Sequence, residues 1–311
     1  MAVKLKGKSL ITINDLTIEN VYQIFELSKI LKYKRLMGEK HDHILAGKTL
    51  GMIFSKPSTR TRISFEVGMH ELGGKAFYYG PNDLQLKRSE SIEDSAKVFS
   101  RYLDGIMIRT FDHQDVIDLA RFGSIPIING LTDLLHPCQI LTDLFTVLEK
   151  KNTLKGLKLA YLGDSNNVTN SLLIGCSKIG VDIAVASPVG FQPIPEIMKI
   201  AIENAKYHNS KVEVFEDPIL AVKDADVVYG DVWASMGQEK EAEERKKIMS
   251  PYQINPELVK HAKGDYLFMH CLPAHRGEEV VNEVADSVNS VIFDQAENRL
   301  HVQKAIMALL I

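Results

Sequence analysis

The stretch with the densest chemistry is Ser55-Lys56-Pro57-Ser58-Thr59-Arg60-Thr61-Arg62. An apolar run, Leu50 to Phe54, precedes it and reads as a buried parallel strand. A helical pattern follows, with Phe65, Met69 and Leu72 at i, i+4 and i+7, and Gly73-Gly74 stop it. Hydroxyls and guanidinium groups therefore sit where a strand turns into a helix. The first helical N–H groups lack intrahelical partners there, and the dipole favours negative charge. Ser58, Thr59 and Thr61 add donors, and Arg60 adds a planar fork that fits phosphate. The plain alternative is a capped helix with two solvated arginines. Three hydroxyls beside Arg60 favour an anion site, with phosphate as the anion.

Other polar groups recur in the same setting, just past an apolar run. Arg109-Thr110 follows Gly105 to Ile108, and alone reads as a solvated strand edge. His136-Pro137-Cys138-Gln139 precedes an apolar helix, which Pro137 can start at its first position. Gly163-Asp164-Ser165-Asn166-Asn167 stands where a dinucleotide fingerprint would stand but has only one glycine. As it lacks GxGxxG, and no Walker A sequence occurs, an NAD or ATP site is disfavoured. Asp231-Val232-Trp233-Ala234-Ser235-Met236-Gly237 carries the only tryptophan. His270-Cys271-Leu272-Pro273 ends a late strand. With His275 nearby a metal comes to mind, but no further ligand has suitable spacing, so no metal is expected.

The elements that must position these groups alternate. Asp15 and Thr17 can cap a first helix that carries Val21, Tyr22, Phe25 and Ile30 on one face. Strands are expected at Leu50–Phe54, Ala76–Tyr79, Gly105–Ile108 and Ile125–Ile128, with helices from Ile92 to Tyr102 and around Val116 to Phe122. The helix Ile140–Leu148 closes this half as a bridge. The second half repeats the logic with strands Leu157–Leu162, Asp182–Ala186, Val212–Phe215, Ala225–Tyr229, Tyr266–Met269 and Val291–Phe293, and a final helix from Gln295 to Leu310. Such alternation predicts an α/β fold of two doubly wound parallel-sheet domains joined by bridging helices. The expected boundaries are 1–150 and 151–311. Ligands of open parallel sheets bind at the carboxyl ends of the strands, so the active site is expected in the interdomain cleft.

Composition narrows the function classes. The chain has 311 residues, 45% of them hydrophobic and 25% charged, which suits two soluble domains. A net charge of −3 gives no basic field for nucleic acid or an anionic membrane. Met1 to Lys8 lacks the apolar core of a signal peptide, and no apolar run reaches spanning length, so a cytoplasmic protein is expected. Cys138, Cys176 and Cys271 form no CxxC, which implies neither a disulfide framework nor a zinc ribbon.

Ser58-Thr59-Arg60-Thr61-Arg62 after a strand resembles the carbamoyl phosphate signature of the aspartate/ornithine carbamoyltransferase family. Asp231 spaced to Ser235-Met236-Gly237, and His270-Cys271-Leu272-Pro273, resemble its ornithine branch; the aspartate branch has a Pro-Leu-Pro-Arg pattern at the latter place. The resemblance runs from the first helix to Arg299. It implies direct transfer of a carbamoyl group from carbamoyl phosphate to the δ-amine of L-ornithine, giving L-citrulline and phosphate, within arginine metabolism and without a cofactor. It assigns carbamoyl phosphate to Ser58, Thr59, Arg60, Thr61, Arg109, His136, Gln139, Cys271, Leu272 and Arg299, with His136 donating to the carbonyl oxygen and Gln139 holding the amide. It assigns ornithine to Asn167, Asp231, Ser235 and Met236, with Arg109, His136, Asp231 and Cys271 as the catalytic set. It further implies a homotrimer, or a multiple of trimers, in which Gln85 reaches the neighbouring site, and a last helix that crosses back to the first domain. Rival readings are putrescine or aspartate carbamoyltransferase, a dehydrogenase of similar shape, and a catalytically dead homologue.

Overall fold

A computed structural model describes residues 4–84, 90–234 and 242–311. The chain divides into two compact units, Met1–Thr142 with Glu297–Ile311, and Asp143–Ala296.

The first unit is built on a parallel sheet of β1 (Thr49–Phe54), β2 (Lys75–Tyr79), β3 (Gly105–Arg109) and β4 (Ile127–Leu131), in the order β2-β1-β3-β4. β1, β3 and β4 are buried almost throughout, as parallel strands covered on both faces must be, whereas the edge strand β2 is half exposed. The crossover helices are α2 (Thr59–Glu71), α3 (Ile92–Tyr102) and α4 (His113–Phe122). Ile53, Ala96, Ile106, Ile108, Val116, Leu119 and Ile127 make one core cluster. Phe65, Met69 and Leu72 are fully buried, as their spacing predicts.

The first helix, α1 (Ile18–Leu36), starts with a capping box between Thr17 and Asn20. Its buried stripe is Val21, Ile24, Phe25, Ser28 and Leu31. Ile30 falls outside it at 51% exposure, because one residue is a rotation of about 100° and Leu31 already holds the inward position. The fourth strand also lies later than expected. Pro126 has no N–H for a ladder, and its carbonyl instead accepts from the Ile106 amide at 2.9 Å. The strand then runs on through Asn129-Gly130 to Leu131, past the expected end at Ile128. A Cβ on Gly130 would stand 2.5 Å from Met107 Sδ, so close strand packing, not a turn, explains that glycine.

The second unit carries β5 (Lys158–Leu162), β6 (Asp182–Ala186), β7 (Val212–Phe215), β8 (Val227–Gly230) and β9 (Leu267–His270), all parallel, in the order β7-β6-β5-β8-β9. Its helices are α6 (Asn167–Ile179), α7 (Pro195–His208), α8 (Pro218–Val222), α9 (Ala242–Met249), α10 (Pro256–Val259) and α11 (Asn282–Ala285). Two further helices contain the unit boundaries: α5 (Pro137–Lys151) and α12 (Ile292–Leu310).

The expected strand Val291–Phe293 does not form. Val291 only donates to Phe268 O at 3.0 Å, and α12 begins at Ile292. Helical phase decides the matter. Ile292, Gln295, Arg299, Val302 and Ile306 are buried at spacings of three and four, while Phe293 is 69% exposed.

Both sheets are doubly wound. The order reverses between β1 and β3 in one and between β5 and β8 in the other. Such switch points leave a crevice outside the carboxyl ends of the strands.

Candidate functional site

In the first unit the crevice lies past Phe54 and Arg109, which pair in register. Ser55 N–H extends that pairing to Arg109 O at 2.8 Å. Ser58 then caps α2, its Oγ accepting from Thr61 N–H at 3.4 Å. Thr61 is fully buried, and its Oγ1 accepts from Arg299 Nη2 at 2.9 Å. Arg299 Nη1 donates to Gln139 Oε1, also at 2.9 Å. One arginine of α12 thereby ties the start of α2 to the start of α5. Gly68 makes this approach possible: a Cβ there would meet Met307 Cε at 2.9 Å and Lys304 Cγ at 3.1 Å.

His136, just before Pro137 at the start of α5, is 4% exposed. Burial, and then the charges of Arg299, Arg109 and Arg60, hold its imidazole well below the usual histidine range. It is therefore a neutral ring that donates or accepts, amid three guanidinium groups. Cys138 faces elsewhere: its thiol donates to Asn129 O at 3.3 Å, and burial pushes it up to about 12, which marks a packed thiol and not a nucleophile. Arg62 also leaves the cluster, pairing with Glu66 at 3.1 Å and lying 3.9 Å over the Tyr78 ring. Of the two arginines in the opening motif, Arg60 is the one whose charge acts on His136.

In the second unit the crevice lies past Leu162 and Gly230. Asp231, 5% exposed, follows β8 directly. Its Oδ1 accepts from Val232 N–H at 2.9 Å and from Cys271 Sγ at 3.0 Å. Its Oδ2 accepts from Asn166 Nδ2 at 2.6 Å. Asn166 is also the cap of α6, its Oδ1 receiving the Val168 and Thr169 amides at 2.8 and 3.3 Å. Asn167, the sequence candidate, is the first residue of α6, and Asn166 is the neighbour that aims Asp231.

Cys271 and Leu272 follow β9. Leu272 adopts φ of 60°, a left-handed conformation uncommon for leucine, and its amide donates to His270 Nδ1 at 2.9 Å. The His270 amide donates to Gln295 Oε1 at 2.9 Å, and Gln295 Nε2 donates to Asp143 Oδ1 at 2.7 Å. Tyr229 OH donates to the other Asp143 oxygen at 2.9 Å. This buried network fixes the end of β9, and nothing local in the sequence marks its members. A second anchor is Arg245, which donates to Asp164 Oδ2 at 2.7 Å and to Trp233 O at 3.3 Å. Burial raises the Asp164 carboxyl, and Arg245 opposes that shift.

Gln85, Ser235 and Met236 lie outside the described residues. Among the described residues, two groups have metal-ligand proximity: Asp231, His270 and Cys271, and His275, Glu278 and Glu279. No helix among them is long and apolar enough to cross a membrane.

A strand end rich in guanidinium groups suits a phosphorylated ligand, and a carboxylate beside a thiol suits an ammonium group. Comparison with known families agrees with that division. Residues 8–149 match the model described as the aspartate/ornithine carbamoyltransferase carbamoyl-P binding domain, and residues 155–310 match its Asp/Orn binding domain. The chain belongs to the aspartate/ornithine carbamoyltransferase family.

Within that family the similarity is to the ornithine branch. A protein of Pyrococcus abyssi named ornithine carbamoyltransferase is 57% identical over 311 residues, covering 100% of this chain and 98% of its own. The Bacillus subtilis protein of that name is 54% identical over 303 residues, 97% of this chain and 93% of its own. The solved structure of ornithine carbamoyltransferase from Pyrococcus furiosus superposes with a TM-score of 0.97 at 56% identity, covering 99% of this chain and 98% of that one.

Proposed function

We propose that this chain transfers the carbamoyl group of carbamoyl phosphate to the δ-amine of L-ornithine, releasing L-citrulline and phosphate. The observation that carries the reading is the Arg299 bridge. It links Thr61 and Gln139, residues 238 and 160 positions away in sequence, beside a buried neutral His136. The names of the relatives support ornithine as the acceptor.

Carbamoyl phosphate binds the first unit. Ser58, Thr59 and Arg60, at the start of α2, hold the phosphate with the helix amides. Thr61, Arg109 and His136 face the carbonyl oxygen, Gln139 takes the amide, and Arg299 fixes Thr61 and Gln139 in place. A neutral His136 donates a hydrogen bond without adding a charge that would grip the ground-state phosphate. Ornithine binds the second unit, with its α-ammonium on Asp231, its α-carboxylate at Ser235-Met236, and Asn167 in contact. Cys271 and Asp231 flank the amine, and Leu272 lines the carbamoyl phosphate side.

The nucleophile is a neutral amine. An alkyl ammonium has a pKa of about 10.4, so presenting the free base at pH 7 costs about 5 kcal/mol. Desolvation and the guanidinium charges on the phosphate side both reduce that cost. The amine attacks the carbonyl carbon, a tetrahedral intermediate forms with its oxyanion held by Thr61, Arg109 and His136, and phosphate leaves with its oxygens on Ser58, Thr59 and Arg60, taking up the proton that the attacking nitrogen loses. Preorganised donors act most strongly on charge that develops in the transition state. Holding both substrates in attack geometry supplies much of the rest. We read the assembly as a homotrimer in which Gln85 serves a neighbouring site, which sedimentation analysis tests.

The deciding experiment compares phosphate release from carbamoyl phosphate with ornithine, putrescine and aspartate as acceptors. Ornithine should be preferred by orders of magnitude. Preference for putrescine or aspartate would overturn the reading.

A further inference from the structure

The loop after β9 gathers donors that the proposed reaction does not use. One ligand atom each from His275, Glu278 and Glu279 lies within 4.8 Å of the others. His275 Nδ1 stands 3.9 Å from Glu278 Oε2 and 3.8 Å from Glu279 Oε2. Ligands bound at ~2.0–2.2 Å to a tetrahedral ion stand only slightly closer together than this. Two carboxylates join His275 through the fold: the turn at Gly277 brings Glu278 and Glu279 back to it, with Gly277 N–H on Val280 O at 2.8 Å.

Glu279 points to an occupant. Its side chain is 2% exposed. Oε1 accepts the His275 backbone N–H and lies 3.3 Å from His270 Nε2. That ring nitrogen carries the proton, because Nδ1 accepts the Leu272 amide. Oε2 is buried and has no hydrogen-bond partner among the described residues. A buried carboxylate oxygen left without a donor is costly, and buried carboxylates are normally paired or bound to metal. Here the unsatisfied oxygen faces His275, whose side chain is 49% exposed and leaves a route from solvent. Glu278 keeps its other oxygen on Lys246 Nζ at 3.0 Å, as metal-bound carboxylates keep outer partners.

We propose that His275, Glu278 and Glu279 form a site for a divalent transition metal of the zinc class. An imidazole with two carboxylates suits zinc or cobalt better than magnesium or calcium, which prefer oxygen alone. Three protein ligands leave one position for water. The bound ion clamps the 275–279 turn and, through Glu279 and His270, steadies the strand end that carries Cys271.

Cobalt(II) titrated into chelator-treated full-length protein tests this. One ion should bind per chain, with visible d–d bands and no thiolate charge-transfer band. His275→Ala and Glu279→Gln should each weaken binding by more than the ~10–100-fold typical of losing an outer partner. Cys271→Ser should leave it unchanged. Because Glu279 is buried, the half-exposed His275→Ala variant, checked for intact circular dichroism, is the decisive one. Three outcomes overturn the proposal: no cobalt bound at millimolar metal, binding that survives His275→Ala, or a charge-transfer band lost in Cys271→Ser. The last would move the ion to the Asp231, His270 and Cys271 group.

Discussion

The two units place polar side chains at the same topological position and give them opposite chemistry. Past β1 and β3, the charges of three guanidinium groups and burial keep His136 neutral. Past β5 and β8, one buried carboxylate takes a thiol, a backbone amide and a side-chain amide. Both sheets reverse strand order there, so the backbone provides the crevice in each case. Side chains decide which ligand it takes. The supports differ too. In the first unit the organising residue, Arg299, comes from the far end of the chain. In the second, Asn166 does the same from within the turn that opens α6.

His136→Ala strikes the cationic side hardest. Losing one donor to a developing oxyanion lowers kcat by ~10²–10³-fold. The KM for ornithine should stay near its original value, since we place that substrate in the other unit. Steady-state kinetics with both substrates varied checks this; an unchanged kcat would remove His136 from the site.

The glycines that end the helices after each crevice give a contrast in stability. Gly73, with φ of 87°, would place a Cβ 1.6 Å from Asp42 O, whereas Gly180, with φ of 81°, meets only His208 O at 3.1 Å. Gly73→Ala should cost about 3 kcal/mol or more, because backbone must move as well as adopt a strained conformation. Gly180→Ala should cost ~1–2 kcal/mol, the left-handed penalty alone. Urea unfolding of both variants measures the difference, and equal losses would contradict the packing argument.

Asp231→Asn keeps the shape of the anionic side and removes its charge. The kcat/KM for ornithine should fall ~10–100-fold, the range for losing a hydrogen bond to a charged group. A variant with normal ornithine kinetics would show that Asp231 does not bind the substrate.

The smallest effect expected is on pH. His136, His41 and His113 are lowered by burial, and His301 is lowered to about 3 by burial and the Lys304, Lys32 and Arg35 charges. All four belong to the first unit. Below about pH 6.5 the unfolded chain takes up protons that the folded chain refuses, so stability falls as pH falls. The urea midpoint should drop between pH 7.5 and pH 5. A flat midpoint would mean these rings titrate alike in both states.

Legibility in the sequence followed physical locality. Strand-then-helix alternation exposes itself through apolar runs, and β1, α2, α3, β6 and β7 lie where those runs put them. Motifs at strand ends were readable because a strand-to-helix turn is local in sequence: Ser58 opens α2 and Asp231 follows β8. What escaped was set by tertiary contact. That Asn166 holds Asp231 depends on cap geometry that the sequence does not reveal. The Asp143, Tyr229 and Gln295 network joins residues far apart in sequence. Val291-Ile292-Phe293 has strand composition, and only the phase of the residues that follow, through Leu310, makes it a helix start.

The division of labour between the units is the central claim, and calorimetric titration of phosphonoacetamide, a non-transferable analogue of carbamoyl phosphate, tests it most directly. Arg60→Lys should weaken binding sharply, because an ammonium cannot reproduce the bidentate fork, while Asp231→Asn should bind as the unaltered chain does. Loss of binding in Asp231→Asn, or full binding in Arg60→Lys, would contradict the account.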